Sequence, residues 1–150
     1  MADYRVHLSQ ARHNEEIADK LVQEPPFHDW AVTAAFYAAI HYFECWMFNS
    51  SHKHSETSIP MSNGKIKYSP HTWRQLIVEK EFDKPVWKSF RKLRDGSQTA
   101  RYLSPSRPWH GVSPRWLNKP ASDYFTPEAA RKMVENNLAI LKAALDIPSP

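Results

Sequence analysis

A chain of 150 residues with one cysteine is long enough for a single self-supporting core, and an internal disulfide is excluded as its staple. The lone thiol and the charged start MADYRVHLSQARHNEE lead us to expect a reducing, cytoplasmic setting rather than export. The net charge of +4 is unevenly spread: residues 1–64 hold 4 Lys/Arg and 8 Asp/Glu (−4), whereas residues 65–150 hold 16 and 8 (+8). Residues 84–119 alone carry nine basic residues and one acid, Asp95. A run of that sign is either well solvated or meets something acidic, such as a nucleic acid or the protein's own acidic half.

From Tyr4 to about Gln23, Leu8, Ala11, Ala18, Leu21 and Val22 recur at the spacing of an amphipathic helix, which Pro25-Pro26 ends. The next stretch, DWAVTAAFYAAIHYFECWMFN (Asp29 to Asn49), has a single formal charge after Asp29, at Glu44. It predicts a buried helix about 30 Å long with Asp29 as its N-cap, around which the remaining elements pack. Its length would suffice for a membrane span, but His41, Glu44 and Asn49 in its second half and the lack of a second such segment argue against a membrane. Residues 49–68 are polar, with a turn signal at Asn63-Gly64, and predict a loop of a length that usually serves a function.

Ser69-Pro70 has the form of a cap followed by a first-turn proline and predicts a third helix through Trp73, Leu76 and Ile77. Pro85 opens a fourth, with Val86, Phe90, Leu93 and Ala100 on one face and Lys84, Lys88, Arg91 and Arg101 on another. Gly96, about 1 kcal/mol worse than Ala in a helix, is expected to break or bend it. Four prolines and two tryptophans between Leu103 and Ser122 predict irregular structure docked on the bundle. Thr126-Pro127-Glu128 then opens a closing helix through Ala130, Met133, Val134, Leu138, Leu141 and Leu145. No strand alternation of useful length is present. The expectation is an all-α single domain over 1–150: an up-and-down bundle of four to five helices with a long irregular insertion, residues 103–123, before the last one.

Several of these residues together resemble the HEPN superfamily of small helical bundles: Trp30-Ala31-Val32-Thr33, then Phe36-Tyr37-Ala38-Ala39-Ile40-His41, His52 or His54 in the following loop, Ser97-x-x-Ala100-Arg101-Tyr102, and the Thr126 helix. The likeness covers roughly 5–102 and 124–146. It implies a bundle that dimerises, and a place among the ribonucleases and nucleotide-handling partners of toxin–antitoxin and defence systems, with a nucleotidyltransferase-type protein as a companion. The family's ribonuclease motif, an arginine and a histidine separated by four to six residues, is missing. Seven residues separate Arg5 from His13, eight separate Arg101 from His110, and two separate Arg107 from His110.

His41 and Cys45, one helical turn apart, have the spacing of a shared metal site, but equally that of a core histidine and a buried thiol. Without a Glu-x-x-His, His-Glu-x-x-His or Cys-x-x-Cys pattern, neither metal nor cofactor is expected. Three glycines cannot assemble a phosphate-cradling loop, and no Gly-x-Ser-x-Gly is present. The functional candidate is the basic, aromatic segment: Lys88, Arg91, Arg94, Arg101, Tyr102, Arg107, Trp109, Arg115 and Trp116. Guanidinium groups grip phosphates and aromatic rings stack on unpaired bases, so RNA or a nucleotide is the predicted ligand. The competing reading is that the tryptophans pin the segment to the bundle and the charges form a solvated face. Should the fold bring Arg101 and His110 together, they would form a metal-independent phosphodiester-cleaving pair. The aromatic surplus of Tyr42, Trp46, Phe48 and the Trp73 helix predicts a two-fold homodimer, and a protein-interaction module acting through that surface is the alternative function.

Overall fold

The computed structural model describes residues 3–50, 52, 58–61, 64–67, 69–103 and 117–147. They form an all-α bundle of α1 (Tyr4–Leu21), α2 (His28–Asn49), α3 (Pro70–Glu81), α4 (Lys84–Tyr102), a one-turn α5 (Ala121–Tyr124) and a closing helix, α6. This last helix is α-helical over Pro127–Lys132, π-helical over Met133–Asn137 and α-helical again over Leu138–Ala144. Four starts carry the chemistry their residues predict. The side chains of Asp3, Ser69, Asp83 and Thr126 accept from the backbone N–H groups of Val6, Thr72, Val86 and Ala129. Asp29 does not cap α2, which begins one residue earlier with Phe27 at the cap position and no side-chain cap. Its carboxylate lies in the first turn, where the helix dipole favours negative charge.

The axis is α2, fifteen of whose 22 residues are buried. Helix α1 packs along one side of it, and α4 along another. Rising numbers in α4 meet falling numbers in α2: Phe90 contacts Phe43 and Phe36 (ring centroids 6.2 and 5.9 Å), and Gly96 faces Val32. The two helices are therefore antiparallel. A Cβ on Gly96 would lie 2.7 Å from Val32 Cγ1 and 3.3 Å from Met133 Sδ. Gly96 does not break α4; it lets a continuous helix approach α2 and α6 closely. In α6 the buried residues Ala130, Val134 and Leu138 are spaced by four, which overshoots an α-helical turn by about 40° each time. The wider π turn between them offsets that drift and keeps the stripe on the core.

Two expectations need correcting. The polar 49–68 stretch is not loop alone: β1 (Ser58–Met61) and β2 (Gly64–Lys67) pair antiparallel, Ile59 opposite Ile66 and Met61 opposite Gly64. Nor is α2 dry all round, for Trp30 is 54% exposed and Phe48 50% exposed. With Ala34, Tyr37 and His41, none of them buried, they form one strip at helical spacing between the flanking helices. The aromatic surplus is smaller than anticipated, because Tyr42 is fully buried and Trp46 stacks on Phe43 with ring centroids 5.4 Å apart. Much of the expected insertion, residues 104–116, lies outside the described residues. Its two ends meet, since Leu117 N donates to Leu103 O at 2.8 Å. No described helix is long and apolar enough to cross a membrane.

Candidate functional site

Along the open strip of α2 and its edge, Tyr37, His41 and Glu44 follow at one-turn intervals, and each is engaged by a different helix. Glu44, 1% exposed, accepts a short hydrogen bond from Arg74 Nε of α3. His41 Nδ1 lies 3.0 Å from Nδ1 of His7 on α1, so one ring donates and the other accepts. Tyr37 OH accepts from Arg101 Nη1 of α4 at 3.3 Å. Cys45, a turn beyond His41, turns instead toward α1, donating to Tyr4 O at 3.6 Å. Burial, and then the charge of Glu44, pushes its thiol up to about 11. Among the described residues no three His, Cys, Asp or Glu side chains come together as a metal site.

Arg101 is the unusual member. Its Nε donates to Ser97 O at 3.2 Å, its Nη1 also reaches Tyr102 OH at 3.3 Å, and its Cζ lies 5.7 Å from the Tyr37 ring centroid and 4.8 Å from that of Tyr102. Among the described residues every side-chain partner it has is neutral, and no carboxylate pairs with it. Beside it stands His71 on α3, its ring 5.8 Å from that of Phe36. His71 Nδ1 is buried with no hydrogen-bond partner among the described residues. Burial, followed by the charges of Arg74, Arg101 and Arg94, holds this imidazole below its ordinary pKa, so it is neutral at pH 7. Together these groups make a polar cluster in which a guanidinium with no carboxylate partner among the described residues offers charge and donors while a neutral imidazole accepts or shares a proton.

The basic segment divides accordingly. Arg94, Arg101 and Tyr102 gather at this cluster, Arg94 with its charge tied to Asp95 through Nε and Nη2 at 3.0 and 2.8 Å. Arg91 shares the same carboxylate at 3.5 Å and lies over Trp87, and Lys88 is exposed on the outer face of α4. Arg107, Trp109, His110, Arg115 and Trp116 lie outside the described residues, so of the Arg101–His110 pair only the arginine is placed. Three residues of the cluster were not singled out as site residues from the sequence: Tyr37, which entered only through the resemblance, and His71 and Arg74. The signal for the last two is His71-x-x-Arg74, an imidazole and a guanidinium one turn apart at the start of a helix. No protein-family model matches the chain, and no curated protein or solved structure matches it either.

Proposed function

We propose that this chain is a HEPN-like helical-bundle protein that binds RNA, gripping a backbone phosphate at Arg101. The observation that carries the reading is that, among the described residues, Arg101 is held by neutral groups only: Ser97 O, Tyr37 OH and Tyr102 OH. A positioned guanidinium without an acid is a phosphate site in waiting, because its bidentate donors are preset and need not be released from another anion. Lys88, exposed on the outer face of α4, adds a further positive charge on the same helix.

The test is the affinity of a labelled RNA by fluorescence anisotropy between about 50 and 200 mM salt. Affinity should fall steeply across that range, and Arg101→Ala should weaken binding about tenfold while flattening the salt slope by roughly one phosphate. Salt-independent affinity, or no binding at all, would remove the proposal. The same geometry favours a second reading, metal-free cleavage, because His71 is a neutral proton acceptor beside a charge-holding group. RNA recovered intact after incubation with chelator supports binding alone; cleavage that disappears in His71→Ala supports the second reading. Exposed Val6 and Phe48, at the opposite end of α2 from Trp30, support a homodimer, which sedimentation measures.

A further inference from the structure

Trp30 is the anomaly of the axial helix. It projects from a segment that is otherwise almost entirely interior, and no ring contact, hydrogen bond or cation–π pair holds it among the described residues. Tyr37 lies seven positions further along, so both point from the same face of α2 about 10 Å apart. Tyr102, 59% exposed, joins the same group, since Arg101 Cζ lies 4.8 Å from its ring and 5.7 Å from that of Tyr37. The surface thus presents an open indole, a phenol holding a guanidinium, and an open phenol. Ring, cation and ring are the complement of base, phosphate and base.

We infer that Trp30 and Tyr102 are base-stacking sites flanking the Arg101–Tyr37 pair, so that the RNA taken up here is single-stranded. The inference rests on the RNA-binding reading of the Arg101 cluster and adds to it the class of RNA and a residue outside the basic segment. A duplex keeps its base faces inside its own stack and has nothing to lay on these rings, whereas an unpaired strand offers both faces. A second protein copy is a poorer fit for the patch. The centres of protein interfaces are depleted of charge, and here Arg101, with no carboxylate partner among the described residues, stands beside the Tyr37 and Tyr102 rings.

The experiment compares a fluorescein-labelled single-stranded oligouridylate of about ten nucleotides with its duplex on the complementary strand, for the native chain and four variants. Trp30→Ala and Tyr102→Ala should each weaken single-strand binding about tenfold, Trp30→Phe should retain most of it, and the duplex should bind more weakly than the single strand. Both rings are exposed, so an unchanged melting temperature is expected and serves as the check on folding. If Arg101→Ala weakens binding but Trp30→Ala does not, the stacking inference falls and the phosphate site stands. If neither variant matters, both fall. Equal affinity for the duplex, or a Trp30→Ala variant that keeps RNA affinity but loses self-association in sedimentation, would also overturn it.

Discussion

Helix α2 presents two tyrosines to two sides of the bundle, each with a cation over its ring, and their surroundings differ in one respect. Lys142 Nζ lies 5.5 Å from the Tyr42 ring, and Glu15 joins the two, accepting from Tyr42 OH and from Lys142 Nζ, the latter at 2.7 Å. Arg101 lies 5.7 Å from the Tyr37 ring, and no acid joins them among the described residues. The first cluster ties α1, α2 and α6 together and is electrically closed. The second is assembled from α2 and α4 with its positive charge left over. A closed cluster stabilises a fold, whereas an open one retains interaction strength for something outside it.

The comparison breaks most decisively at Glu15. Its replacement by Ala leaves a buried hydroxyl and an ammonium without their acceptor, and should cost about 2 kcal/mol in urea denaturation with RNA affinity unchanged. A loss of RNA binding with stability intact would mean that the two clusters have been assigned the wrong way round. At Arg101 the expected pattern is the reverse, and Arg101→Lys should recover little of the affinity lost in the Ala variant, because an ammonium lacks the planar fork. Smaller again is the contrast between the hydroxyls: Tyr42→Phe should lower stability by about 1 kcal/mol, whereas Tyr37→Phe should leave melting unchanged.

The His71 prediction concerns pH. Its pKa is lower in the folded chain than in the unfolded one, so between the two values the unfolded state binds the extra proton. Stability should therefore decline as pH falls below about 6.5 and level off once the folded-state pKa is passed. His71→Asn should remove that part of the pH dependence, and bound RNA should oppose it by favouring the imidazolium. The smallest effect is at Cys45, whose thiol is raised to about 11 and buried. Iodoacetamide at pH 8 should leave it unmodified until denaturant is added, and mass spectrometry reads the outcome.

How much of this was legible in advance depends on the range of the interaction. Ser69-Pro70 and Thr126-Pro127 announce helix starts because a cap acts over three residues, and the axial role of α2 follows from its composition. The pairing of Ile59 with Ile66 was hidden because Pro60 interrupts the strand pattern. Arg94, Arg101 and Tyr102 stood out as charge and aromatic ring within one run. Tyr37 did not, since its partner is 64 residues away, and Arg74 meets Glu44 across 30. Trp30 sits in a segment apolar on every side, so nothing local says which strip the neighbouring helices leave uncovered.

The bond between Leu103 and Leu117 has an architectural consequence. Its 2.8 Å span brings together the two ends of the thirteen intervening residues at one point on the bundle, so the helices are spliced as though that excursion had zero length. Because closure entropy grows only slowly with loop size, such a neck tolerates exchange, lengthening or excision of what it carries. Two grafts at this junction, one a short turn and one a foreign peptide, should leave the bundle's unfolding transition where it was.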